Sequence, residues 1–362
     1  MSPALRQHCD AARGLMERVL RAGAPIAPEY PLVFGGAQCA AFVVDENGGA
    51  ALAACALLER DLIVRGRTIR AGLIGSVATD PGSRRQGRGA AVLAAAEAEL
   101  ARRGALLAIL WGDDSEFYRK RGWRSIGWEI DFVIPSDCAS RLPESAGVRE
   151  RTPEDDGQIH ELYERHPERV QRSPAETAAL LGCPDMEVLV AERWGRIAGY
   201  TCVGRGADLR NVVHEWAGDA QALLMLLREH FARRKSRGID ESLYLIAPPS
   251  AVDAAERLTS AGAQMSQGVV GMGKILRPLE AGKLAAELLD RRGGVSCVRA
   301  DADGTVHFRA PKGEASCTSE ALLELLFAPR AERTRVVEIG GQLGVPGVGL
   351  PLTPFLWGLD SI

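Results

Sequence analysis

None of the eight cysteines forms a CxxC pair, and none stands beside a histidine at zinc spacing. That excludes a structural zinc site or a dithiol redox centre from the expectations, and no metal is expected. Cys9, Cys39, Cys55, Cys138, Cys183, Cys202, Cys297 and Cys317 read as free thiols packed as small apolar groups, which suits a reducing cytoplasm. Charge of one sign is also lacking. The 44 basic and 47 acidic residues leave a net charge of −3, which gives no general pull toward nucleic acid or an anionic membrane. The first residues, MSPALRQHCDAARG, lack the apolar core of a signal peptide. The stretch from Ile339 to Leu359 is uncharged and long enough to span a bilayer, but six glycines and three prolines break it. It reads as irregular chain buried against protein.

What is present suits a folded protein of two or three domains: 362 residues, 46% hydrophobic and 25% charged. Residues 4–21 carry an apolar stripe at helical spacing. CAAFVVDENGGAALAACALL reads as two strands around Glu46-Asn47-Gly48-Gly49, and RDLIVRGRTIRAGLIGSVATD as two more turning near Arg65-Gly66. A helix is expected from about Gly87 to Arg103, stopped by Gly104, then a buried strand ALLAILW and a short helix capped by Ser115. WRSIGWEIDFVIP supplies the last strands of this unit, and a Ser/Pro/Gly-rich boundary follows at 135–147. A second α/β pattern repeats the order, so a duplication is expected. A third segment starts near Pro278, with two helices flanking a hairpin.

Between the first strands and their helix stands Ser83-Arg84-Arg85-Gln86-Gly87-Arg88-Gly89. Glycine lets a backbone approach a ligand closely, a helix N-terminus offers unpaired amides and a positive dipole end, and arginine clamps anions. Together they read as a phosphate cradle. Gly89 is followed by Ala90-Ala91 rather than Lys-Ser/Thr, which excludes a nucleotide P-loop. The third glycine of a dinucleotide fingerprint is missing, and the preceding strands form hairpins. Between Trp216 and Leu223, the matching place in the second pattern, there is no such loop.

VATDPGSRRQGRGAAVLAAAEAELARRG resembles the central motif of the GNAT N-acetyltransferase superfamily, with Arg84-x-x-Gly87-x-Gly89 in its loop. The segment DDSEFYRKRGW, with Tyr118 one helical turn before Gly122, is similar to that family's second motif. The whole chain resembles the enhanced-intracellular-survival family of acetyltransferases. The resemblance implies an α/β protein of tandem GNAT folds with mixed, mostly antiparallel sheets. Residues 1–140 would form the GNAT domain with the acetyl-CoA loop and 141–277 a degenerate second one. Residues 278–362 would form a small sterol-carrier-like unit whose apolar tail returns to the active site. It implies acetyl-CoA as co-substrate, held by Val77, Ala78, Thr79, Arg84, Arg85, Gln86, Gly87, Arg88, Gly89, Ala90 and Ser115. It implies Tyr118 as the acid for the departing thiolate and the carboxylate of Ile362 as a second catalytic group.

Acetyl transfer to an amine needs a neutral nitrogen, a polarised thioester and a proton for the thiolate. An unperturbed tyrosine, near pKa 10, is protonated at neutral pH and can supply that proton. No cysteine beside a base suggests an acyl-enzyme, so direct attack by a primary amine is expected. Asp113, Asp114 and Glu116 are further candidates for attracting a cationic amine; His214-Glu215 could face the cleft, and Trp111, Trp216 and Trp357 could form an aromatic pocket. The expected partner is a small-molecule or peptide amine, with homo-oligomerisation left open. The alternative is a non-catalytic acyl-CoA- or lipid-binding module or sensor.

Overall fold

The computed structural model describes residues 3–35, 40–112, 115–329 and 333–362. Cys39, Asp113, Asp114 and the side chain of Ser115 lie outside the described set. Two large mixed sheets and one small sheet form the scaffold. The first sheet runs in the order Ala4–Arg6, Ala40–Asn47, Ala50–Val64, Arg67–Thr79, Leu107–Leu110, Gly271–Ile275 and Arg124–Ile126, and Glu168–Val170 pairs with Ala50–Val64. The second runs Gln264–Gly268, Glu129–Ile134, Leu243–Ala247, Asp208–Gly218, Arg196–Arg205, Glu187–Arg193 and Val148–Glu150. Each sheet holds a parallel pair among antiparallel neighbours: Arg67–Thr79 with Leu107–Leu110, and Asp208–Gly218 with Leu243–Ala247.

The two sheets exchange strands. Glu129–Ile134, expected as the end of the first unit, lies in the second sheet between Leu243–Ala247 and Gln264–Gly268. Gly271–Ile275, expected in the second unit, lies in the first sheet between Leu107–Leu110 and Arg124–Ile126. The first two sheets therefore do not divide at residue 140. Alternation along EIDFVI specifies which side chains are buried but not which sheet supplies the neighbour, so this crossing is invisible to periodicity.

Two further expectations are corrected. Ala50–Val64 is one strand of 15 residues, where a break was expected near Glu59-Arg60-Asp61. Those charges do not interrupt it because each finds a partner: Glu59 pairs with Arg70 and Arg103, Arg60 with Glu176, and Asp61 with Arg70 at 3.7 Å. At the N-terminus only Asp10–Leu20 is helical, entered through Cys9, whose sulphur accepts from the Ala12 amide at 3.4 Å; Ala4–Arg6 is a strand.

The helix Arg88–Arg102 buries Val92, Leu93, Ala96 and Leu100 against the first sheet, in a cluster with Val43, Cys55, Leu57, Ile74 and Leu110. The third unit contains the helix Pro278–Leu289, a sheet of Ser296–Ala300, Val306–Ala310 and Gly313–Cys317, and the helices Ser319–Phe327 and Thr334–Leu343. Thr334–Leu343 takes in the start of the stretch expected to be irregular. Beyond it, every residue from Leu350 to Asp360 is buried, with one short turn at Gly358–Asp360 and a cis peptide at Leu350–Pro351. Such continuous burial of irregular chain makes this segment a strap across the body of the protein. Among the described residues no helix is long and apolar enough to cross a membrane.

Candidate active site

The parallel pairing in the first sheet runs from Ala71 opposite Leu107 to Ile74 opposite Leu110 and then stops, although Arg67–Thr79 continues. At the same place the register of Arg67–Thr79 against Ala50–Val64 shifts, and Ser76 has φ +50°. A bulge of this kind bends the strand away and leaves its edge groups free. Val77 and Thr79 are half-buried along the freed edge and Ala78 is buried.

The loop follows directly. The Asp80 side chain accepts from the Gly82 amide at 3.0 Å and tightens the turn. Arg85 has φ +61°, and Gly87 occupies the N-cap of Arg88–Arg102 at φ +77°, where glycine carries no steric cost. No side chain caps this helix. Its first amides consequently have neither an intrahelical acceptor nor a capping oxygen. Arg84, Arg85 and Gln86 are exposed, and among the described residues Arg84 and Arg85 form no ion pair. Gly89 lets the first helical turn sit against the strand end, since a Cβ there would stand 3.0 Å from Thr79 Oγ1. Arg88 differs from its neighbours. Its guanidinium turns back to the buried Asp45 at 2.7 Å, and its Nε donates to Gln86 Oε1 at 3.2 Å.

The second unit shows what a closed version looks like. Its matching helix, Ala220–Ser236, is capped by the Asp219 carboxylate, which accepts from the Ala222 amide at 2.7 Å. An anion would meet a carboxylate there instead of free amides.

Tyr118 lies on the short helix Ser115–Arg119, largely buried, with its ring edge-on to Phe117 at 5.1 Å and Trp123 at 6.3 Å. The ring covers Gly112, just beyond Leu107–Leu110, and its hydroxyl stands 3.2 Å from where a Cβ on Gly112 would be. Ile362 lies against the other parting strand: a Cβ on Gly75 would overlap the Ile362 carbonyl carbon and oxygen. Tyr118 and the strap's end thus sit on the two strands that separate. The fully buried Arg205 donates to the Gly358 carbonyl at 2.8 Å, and to the Ser361 hydroxyl and carbonyl at 3.0 and 3.2 Å. Between strap and first sheet a small space is lined by Tyr30, Leu32, Leu58, Arg60, Arg205 and Ile362.

His214 and Glu215 do not face this cleft. Both are fully buried, His214 donating to the Gly204 carbonyl at 2.9 Å and Glu215 held by Arg172 and Tyr200. Burial holds His214 down to about 4, so it is neutral at pH 7. Trp216 and Trp357 meet at 5.7 Å, whereas Trp111 stands apart and donates to the Val270 carbonyl. Glu116 is exposed and paired with Lys120.

Two carboxyls passed over at the sequence level lie on the exchanged strand. The E-I-D spacing puts Glu129 and Asp131 on one face, the signal that could have found them. A Cβ on Gly268 of the neighbouring strand would overlap Asp131 Oδ2 and stand 3.1 Å from Glu129 Oε1. Burial, reinforced by the Asp131 charge, pushes Glu129 up to about 8, and burial also raises Asp131. The folded state therefore holds the Glu129 proton more tightly than the unfolded chain does. That stabilisation is full below the ordinary value of 4.5 and is lost as pH rises through 8. Glu129→Gln should gain stability over wild type between about pH 5 and about pH 9, by up to about 4 kcal/mol in urea unfolding. A difference that stays constant with pH would contradict it.

Residues 36–126 match the family model described as Acetyltransferase (GNAT) domain. The chain carries a GNAT acetyltransferase domain. The matched span includes the loop, its helix and Tyr118, and it ends at Ile126, just before the chain crosses to the second sheet. The protein is accordingly an acyltransferase. Solved structures extend the fold likeness over the whole chain. The GCN5-related N-acetyltransferase from Anabaena variabilis aligns with a TM-score of 0.69 at 14% identity, covering 99% of this chain and 100% of that one. The probable N-acyltransferase from Enterococcus faecalis V583 aligns at 0.66 and 13%, covering 100% of both. Eis1 from Mycobacterium abscessus aligns at 0.55 and 14%, covering 99% and 100%. A search of curated proteins finds no match.

Proposed function

We propose that the protein transfers an acetyl group from acetyl-CoA to a primary amine by direct attack. The observation that carries this is the uncapped, glycine-opened N-terminus of Arg88–Arg102, set where two parallel strands part. Free amides, a dipole end and the unpaired Arg84 and Arg85 fit a diphosphate, and the freed edge Val77–Thr79 fits an amide-containing arm. Gln86 and Ala90 border the same turn, and Ser115 opens the short helix across the gap.

Acetyl-CoA supplies the acetyl group as an activated thioester. Tyr118 gives its phenolic proton to the departing sulphur and is reprotonated from water. The carboxylate of Ile362 orients the amine and accepts the proton its nitrogen gives up on forming the C–N bond. Cys55, the thiol beside the bulge, is pushed up to about 12 by burial and is no nucleophile at neutral pH.

Thiol release from acetyl-CoA across a panel of polyamines, aminoglycosides and lysine peptides tests this reading. Turnover with at least one amine is expected. CoA binding with no amine ever acetylated would favour a sensor instead. A glycine added after Ile362 should lower kcat about tenfold while CoA affinity stays within about twofold, because it moves the carboxylate and leaves the cradle alone.

A further inference from the structure

The second sheet repeats the parting geometry of the first, since its parallel strands pair only at Val212 with Tyr244 and Val213 with Leu245. Here the gap is filled. The Trp216 indole donates to the Ile246 carbonyl at 3.1 Å, and the His166 ring bonds the Trp216 carbonyl at 2.9 Å. The strap's Trp357, wholly buried, lies 4.5 Å from His166 and 5.7 Å from Trp216.

The strap then meets a buried charge cluster. Arg172 donates from Nε to Asp360 Oδ1 at 2.8 Å, and from Nη1 and Nη2 to Glu215 at 3.1 and 2.7 Å. Its guanidinium lies 4.0 Å from the Tyr163 ring centre, and the Tyr163 hydroxyl donates to Asp360 Oδ2 at 3.1 Å. The Arg172 and Glu215 side chains have no exposure, and that of Asp360 only 1%. Arg172 is also fixed relative to the first sheet. It follows Glu168–Val170, which pairs with Ala50–Val64, and the adjacent Gln171 amide donates to the Asp61 carbonyl.

We infer that the second unit is the receptor for the chain's own strap, and that Arg172 is a positioning residue which fixes Asp360 and thereby sets Ile362 at Gly75. A buried ion cluster is rarely more stable than apolar packing of the same volume, but it specifies one register where greasy contacts allow sliding. The strap needs that service. It is apolar and irregular, it has no ladder to set its position, and a slip of one residue would move Ile362 off Gly75. The catalytic consequence rests on the proposed role of Ile362; the docking itself does not.

The test uses the full chain with Asp360→Ala, which leaves the Arg172–Glu215 pair intact, and Asp360→Asn, which keeps an acceptor for Arg172. Hydrogen–deuterium exchange of the 355–362 peptide, kcat and CoA affinity are measured for each. Asp360→Ala should speed exchange of that peptide about tenfold or more and lower kcat about tenfold, with CoA affinity within about twofold. Asp360→Asn should recover most of both. Unchanged exchange in Asp360→Ala would overturn the clamp whatever the chemistry. Faster exchange with unchanged turnover would overturn the positioning role, and with it the role given to Ile362.

Discussion

Gly87→Asp is expected to weaken CoA binding about a hundredfold or more, close to 3 kcal/mol. Gly87 has φ +77°, a conformation that aspartate and asparagine both tolerate better than most residues. The new carboxylate would stand at the N-cap, taking the amides that an anion needs and opposing its charge. A carboxylate at an N-cap has a precedent in the protein, since Asp219, in extended backbone, closes the second unit's helix. Gly87→Asn isolates the charge: asparagine tolerates positive φ as aspartate does and caps without charge, so its loss should be smaller. Calorimetric titration with CoA reads both variants. An affinity within about threefold of wild type in Gly87→Asp would mean that the diphosphate binds elsewhere.

Tyr118→Phe should lower kcat by about 10²- to 10³-fold and leave CoA affinity unchanged, since general acid catalysis contributes on that scale. The ring contacts with Phe117 and Trp123 are kept in the variant. The pH profile carries the decision. If Tyr118 is the acid, an alkaline limb is expected in the wild-type profile and is absent from the variant's. Equal kcat and an unaltered profile would assign the proton to another donor.

The glycine–arginine turn was legible because its pattern is local. Strand, glycines, arginines and alanine-rich helix fall within Val77 to Arg103, and each residue type has its own physical reason for being there. The burial of the strap was legible too, because uncharged, proline-broken chain has nowhere else to go. Its anchoring was not: Arg172 and Asp360 are 188 positions apart. No pattern marks one arginine among many as the buried one. The exchange of Glu129–Ile134 for Gly271–Ile275 was illegible for a different reason, since an alternating strand fits any sheet offering an apolar face. The partner of the Arg88 guanidinium was not legible either, since Asp45 lies 43 residues earlier on a neighbouring strand.

The crossing of strands also governs how the protein can be made. Leu107–Leu110 and Arg124–Ile126 have Gly271–Ile275 between them, so the sheet that carries the cofactor turn stays incomplete until residue 275 has left the ribosome. Glu129–Ile134 likewise has no partner until Leu243–Ala247 emerges, and nascent chains must keep that apolar ribbon from pairing with one another meanwhile. A piece cut at residue 140 would carry both defects permanently. Each of the two sheets is therefore completed only when the whole stretch from residue 129 to residue 275 is present.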